Sequence, residues 1–211
     1  METEYQKTLH FCDANAQERK EIYGNMGYQR VSVLHGTGEK VMKKKNAGID
    51  AVAMNERSFM IGISEKICRY PYANMLDKKF SVELYSDFEE GTSGWARTTS
   101  ANTVFYFFID AIVSVDLKTL RMYLDDFDGG TAEEYISDLA AALIEHNVAG
   151  KKIEGKDDVE VYVESNGNGH HSVGLVFHPN RELAEQIDYI EYYFEDEPDE
   201  DGTDEEGGEE E

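Results

Sequence analysis

Apolar and polar positions alternate with a period of two along much of this chain and follow a helical period in three segments. Residues 13–26 read as a short helix, with Asp13 as its cap and Ala14, Ala16, Ile22 and Tyr23 as a weak apolar face. Tyr28 to Leu34 reads as a strand, and residues 35–47 as a polar, basic loop broken by Gly36 and Gly38. Ile49, Val52 and Met54 mark a strand that turns at Asn55-Glu56-Arg57 and returns over Ser58 to Cys68, which together predict a hairpin. A loop follows over 70–79, where Pro71 bars a regular strand. Phe80 to Tyr85 is the next strand, and Glu89 to Gly94 a polar turn. Thr103 to Asp110 is almost wholly apolar, as a buried central strand is, and Val113 to Val115 pairs beside it.

The second helix is the clearest. Thr131 and Glu134 form a capping box, Ile136, Leu139, Ala140, Leu143 and Ile144 recur at helical spacing, and Gly150 is a stop. Val159, Val161 and Val163 alternate over Asp158 to Glu164. Asn166-Gly167-Asn168-Gly169 turns the chain, and Ser172 to Phe177 returns it. Leu183, Ile187 and Ile190 mark a third helix. No internal repeat is present.

Length and an apolar fraction of 40% suit one domain of ordinary size with a small appendage. No apolar run approaches the ~20 residues of a membrane span; the longest, Val104 to Ile109, is of strand length. Met1-Glu2-Thr3-Glu4 lacks the basic-then-apolar layout of a signal peptide. Cys12 and Cys68 are too few and too far apart for a disulfide framework, so reduced thiols and a cytoplasmic location are expected.

Charge changes this picture. The net charge of −24 argues against nucleic acid as a partner, but it is unevenly spread. Half of it lies in residues 195–211, which hold 12 acids and no base and read as a disordered acidic tail. Between Lys40 and Lys79 the sign reverses, with nine bases against four acids. Local fields decide where a polyanion docks. Lys43, Lys44, Lys45, Lys78 and Lys79 are therefore the candidate phosphate contacts.

That basic segment also carries the candidate chemistry. Hydrolysis of a phosphodiester needs a divalent metal to neutralise charge and activate water. Mg²⁺ or Mn²⁺ takes carboxylate oxygens, which Asp50, Glu65 and Glu83 can supply, while Lys66 can orient the water or stabilise developing charge. Two hairpin registers are open. One puts Asp50 on a face with Glu65; the other puts it with Ser64 and Lys66. A regular strand cannot aim Glu65 and Lys66 at one ion without a bulge. Glu18 and Glu21 on the first helix are further oxygen sources, although surface helix charges are commoner. His170, His171 and His178 could bind a transition metal, but they lie in or near a Gly-Asn turn and read as ordinary loop histidines; Trp95 after Gly94 reads as a core anchor.

Gly48-Ile49-Asp50, Glu65-Lys66, Val82-Glu83 with Ser86, Gly94-Trp95, and Ala101-Asn102 ahead of Val104-Phe105-Tyr106 follow one another in order. In this the chain resembles the restriction-endonuclease-like PD-(D/E)XK nucleases, and within them a group of phage and bacterial hypothetical nucleases. The resemblance spans roughly residues 15 to 125. It implies an α/β (α+β) fold, a mixed central β-sheet flanked by helices with the metal site at the hairpin. It places a nuclease-like core in 1–130; residues 131–194 match no such pattern and read as a small α+β extension, and 195–211 as the acidic tail. It further implies a metal-dependent endonuclease acting on DNA, with Asp50, Glu65 and Glu83 on the metal and Lys66 beside them; a homodimer is left open. Two positions depart from the family pattern. Ser64 stands where an acid two before the lysine is usual, so Glu65 must substitute, and Asn102 replaces an aspartate. Those departures keep open a catalytically inactive, nuclease-like binding protein. The overall charge keeps open an acidic DNA mimic that inhibits a nucleic-acid-binding protein.

Overall fold

The computed structural model describes residues 16–34, 38–67, 79–108, 111–167, 169–178 and 180–193. Asp13, both cysteines, Pro71, Lys78 and the acidic tail lie outside them. The described chain is mixed α/β, with two sheets and six helices. None of these helices is long and apolar enough to cross a membrane.

Helix α1 (Ala16–Asn25) leads into β1 (Gln29–Val33). Residues 35–47, expected as a loop, instead contain helix α2 (Glu39–Asn46), which has no buried residue. Its propensity comes from Lys, Glu and Met rather than from an apolar face, and Lys43, Lys44 and Lys45 at its end suit the negative pole of the helix. The expected hairpin is β2 (Ala51–Met54) and β3 (Met60–Ile67). Then come β4 (Phe80–Asp87), β5 (Thr92–Ser93), the single turn α3 (Trp95–Thr98), β6 (Thr103–Phe107) and β7 (Ala111–Asp116).

Helix α4 (Leu117–Asp125) follows directly. The Asp116 carboxylate caps it by accepting from the Lys118 and Thr119 N–H groups, both at 2.9 Å. Helix α5 (Ala132–Glu145) carries the expected capping box. It ends before Gly150, however, because Asn147 takes the left-handed conformation (φ 53°). β8 (Gly150–Ile153), β9 (Lys156–Gly167) and β10 (His170–Phe177) form a meander. The third expected helix is cut short. α6 (Arg181–Gln186) stops, Asp188 turns left-handed (φ 52°), and Tyr189–Tyr193 forms β11. The aromatic and β-branched run there favours a strand.

The first sheet has the order β1-β2-β3-β6-β7-β11, with β3–β6 its only parallel pair. The second, β5-β4-β10-β9-β8, is antiparallel throughout. Strand pairing crosses the boundary expected at residue 131. β4 leaves the first sheet to pair with β10, and β11 returns to pair with β7. One apolar core joins Val82 and Leu84, Val104 and Tyr106, Leu120, Ile136, Val161 and Leu175. A smaller core on the opposite face of the first sheet packs Tyr23 of α1 against Ala51, Ala53, Ile63 and Phe105.

Candidate functional site

The site begins at a glycine. Gly48 has φ +71°, and a Cβ there would collide with the Thr99 side chain. Thr99 Oγ1 donates to the Gly48 carbonyl at 2.9 Å, and Arg121 clamps the same turn through the Ala96 carbonyl at 2.8 Å and the Thr99 carbonyl at 2.6 Å. The entry to β2 is thereby tied to α3 and α4.

The register of the hairpin decides which groups share a face. Ala51 pairs with Ile63, so Asp50 stands opposite Ser64. Asp50 Oδ2 accepts the Glu65 N–H at 2.8 Å, with the Ser64 hydroxyl at 3.5 Å. β3 carries no bulge in its pairing with β2 or β6. Its side chains therefore alternate, and of the two registers left open the one joining Asp50, Ser64 and Lys66 is realised.

Glu65 is accordingly corrected out of the metal set. Its carboxylate points to the α1 face, where the Arg19 guanidinium pairs with it and the Tyr23 hydroxyl donates to it at 2.5 Å. The Glu65 side chain is 2% exposed, so no ion reaches it without breaking that pair. Burial pushes its carboxyl above the usual range, against the pull of Arg19 and Tyr23. Glu21 lies on the surface of α1, where Gln17 donates to it. The Glu18 side chain lies outside the described set.

Lys66 faces the other way. Its ammonium sits 4.7 Å from the centroid of the Trp95 ring. Burial pushes its pKa down, while the charges of Asp50 and Glu83 pull it up. Glu83 arrives from the second sheet, and its Oε1 accepts the Trp95 backbone N–H at 3.1 Å. Burial raises the Glu83 carboxyl, opposed by that hydrogen bond and by Lys66. A Cβ at Gly94 would overlap the Glu83 backbone, so only glycine lets the Trp95 turn approach this closely. Trp95 is thus more than a core anchor: its ring carries the lysine and its N–H holds the acid.

The structure therefore brings Asp50, Lys66 and Glu83, each half-buried, together through the hairpin register and Trp95. Two carboxylates and an ammonium in one low-dielectric place can accept a hard divalent ion and a phosphate. The Asn102 carboxamide does not enter this group. Its Oδ1 accepts the Gly62 N–H at 2.8 Å and fastens β3 to the start of β6. Lys43 and Lys44 are exposed on α2, which ends close to Gly48, and Lys79 lies just before β4.

A second group joins His170 and His171 to Asp87 and Glu89, two acids that the sequence did not connect with them. His170 and His171 lie in β10, not in a loop. His170 Nδ1 is 2.8 Å from Asp87 Oδ2, and His171 Nδ1 is 2.6 Å from Glu89 Oε1. Asp87, Glu89 and His170 can hold a metal ion, their donor atoms lying within 4.8 Å of one another. The partners are about eighty residues apart in sequence, so only the β4–β10 pairing reveals them. His178 goes elsewhere, to Glu160 at 2.9 Å.

No family model, curated protein or solved structure matches the chain.

Proposed function

We propose that this chain is a divalent-metal-dependent phosphodiesterase acting on DNA. One observation carries the reading: the Lys66 ammonium lies 4.7 Å from the centroid of the Trp95 ring, the Trp95 N–H is bonded to Glu83 of the other sheet, and Asp50 stands opposite Ser64 on the face that Lys66 shares. Taking a lysine and two carboxylates partly out of water costs desolvation free energy and is a weak way to stabilise a fold. The same three groups are useful in hydrolysis. Asp50 and Glu83 would bind Mg²⁺ or Mn²⁺ by oxygen, which activates water and neutralises the phosphate. Lys66, held by the Trp95 ring, would position the attacking water or stabilise charge on the phosphoryl oxygens. Glu83 thus takes the place that the family pattern gives to the acid at position 64. Lys43, Lys44 and Lys45 of α2, with Lys78 and Lys79, would meet the phosphate backbone.

A supercoiled-plasmid assay with Mg²⁺, Mn²⁺ or chelator tests the reading. Nicking or linearisation is expected with metal alone. It should fall by at least ~100-fold in Asp50→Asn, Lys66→Met and Glu83→Gln, with circular dichroism and melting preserved. Glu65→Gln should still cut. Equal cutting by the wild type and all three site variants, or no metal-dependent cutting by the wild type, rejects it.

A second reading is a non-catalytic binding protein. It is favoured by Ser64 and by the Asn102 carboxamide, which is spent on a backbone hydrogen bond. It calls for duplex binding that weakens linearly in log–log salt plots, without turnover in any metal.

A further inference from the structure

We propose that Asp87, Glu89 and His170 form a second metal site, built for an imidazole-accepting transition ion such as Zn²⁺ and separate from the Asp50–Glu83 site. The donors come from different parts of the chain. Asp87 ends β4, Glu89 lies in the turn toward β5, and His170 opens β10. The antiparallel pairing of β4 with β10 brings them together.

Three features single this group out from ordinary surface ion pairs. First, it mixes donor types. A histidine nitrogen with two carboxylates suits Zn²⁺ and similar ions better than Mg²⁺, which prefers oxygen and keeps its water. Second, His170 Nδ1 is turned inward and shielded from solvent although its side chain is 41% exposed. It lies 2.8 Å from Asp87 Oδ2. Two ligands ~2.0–2.1 Å from a tetrahedral Zn²⁺ stand ~3.3–3.4 Å apart, so the pair would open by about half an ångström to take the ion. Third, the glutamate is already oriented from behind. The His171 backbone N–H lies 2.8 Å from Glu89 Oε2, and its ring nitrogen 2.6 Å from Oε1. Histidine–carboxylate pairs of this kind fix a ligand's orientation at metal sites.

The surrounding charge favours a cation. Asp87, Glu89 and the neighbouring Glu90 face His170. Asp87 Oδ1 is held by the Glu90 N–H at 3.1 Å, which leaves Oδ2 for the ion. Three protein donors leave the remaining positions to water. Such an ion would further pin the 88–91 turn to β10, a tie now made by the Phe88 N–H to the His171 carbonyl at 2.8 Å and by the two His171–Glu89 contacts.

Isothermal titration of the full chain with Zn²⁺, and separately with Mg²⁺, tests the site. The expected result is one Zn²⁺ class, at least tenfold weaker in His170→Ala and in Asp87→Asn, with no competition from Mg²⁺. Thermal melting should rise with Zn²⁺ in the wild type and not in either variant. Two substitutions on different strands guard against one that merely misfolds, and circular dichroism of the metal-free proteins identifies such a case. Zn²⁺ affinity unchanged in both folded variants overturns the proposal, as does Mg²⁺ displacing the bound Zn²⁺. Asp50→Asn must keep Zn²⁺ binding. Loss of plasmid cleavage without loss of Zn²⁺ binding, or the reverse, therefore separates this site from the phosphodiesterase reading.

Discussion

The Lys66 ammonium lies 4.7 Å from the centroid of the Trp95 ring, and the backbone N–H of the same tryptophan is bonded to Glu83. One residue thus sets the positions of a cation and an anion that belong to different sheets. Because Trp95 is the sole tryptophan of the chain, its fluorescence reports on the site. Paramagnetic Mn²⁺ bound by Asp50 and Glu83 should quench that emission saturably. Titrations of wild type, Glu83→Gln and His170→Ala provide the check. Quenching is expected to vanish in the first variant and persist in the second; equal quenching in all three places the ion elsewhere.

Gly48 is the tightest point in the approach to Asp50. An alanine there would meet a left-handed backbone conformation and the Thr99 side chain together. Gly48→Ala is expected to cost about 2–5 kcal/mol by urea unfolding, the sum of a conformational and an overpacking penalty. Gly129, also left-handed (φ +84°) but with open space around it, is the control. Gly129→Ala should cost only about 1–2 kcal/mol. Equal losses would mean that the Thr99 clash is relieved without strain.

Asn102 tests whether the family pattern or the local geometry governs its role. Asn102→Ala removes the acceptor for the Gly62 N–H and should cost about 0.5–1.5 kcal/mol. Asn102→Asp keeps an acceptor in place and should leave plasmid cleavage unchanged. A large gain in cleavage would place that carboxylate in the metal site after all.

Glu65 gives the pH dependence its sign. Its carboxyl is raised by burial, so the folded chain holds that proton more tightly than the unfolded chain. The favourable contribution is present below the ordinary glutamate pKa. It is lost as pH rises from there to the higher folded value. Wild type should therefore lose stability relative to Glu65→Gln across that window, with the difference flat above it. Urea midpoints of both proteins at a series of pH values provide the comparison. The opposite slope would show that Arg19 and Tyr23 outweigh burial.

Local patterns carried much of the fold. The hairpin around Asn55, the capping box at Thr131 and Glu134, and the alternating valines of β9 are all short-range signals, and each appears in the structure. Helix α2 was illegible as a helix because it buries nothing and so shows no apolar stripe. Helix α4 had a readable signal, Asp116 before Leu117, Leu120 and Leu124, hidden by its fusion to β7. What no local pattern contains is sheet membership. Val82-Glu83 reads as a strand beside the hairpin, yet β4 belongs to the other sheet. Glu83 therefore reaches Lys66 across the core rather than along a sheet. In the same way Asp50, Lys66 and Glu83 were identifiable as residues, whereas the exclusion of Glu65 required the register. The link of His170 to Asp87 required the β4–β10 ladder.

The pairing of β11 with β7 has a kinetic corollary. The edge of the first sheet is closed by the last described strand, some seventy residues after its neighbour. During synthesis the open edge of β7 waits until nearly the whole described chain has emerged, exposing unpaired backbone groups to neighbouring nascent chains. Sequence-distant closures of this kind slow folding. A chain truncated before Tyr189 would leave the ribosome with that edge bare, prone to self-association even where every residue of the site is present.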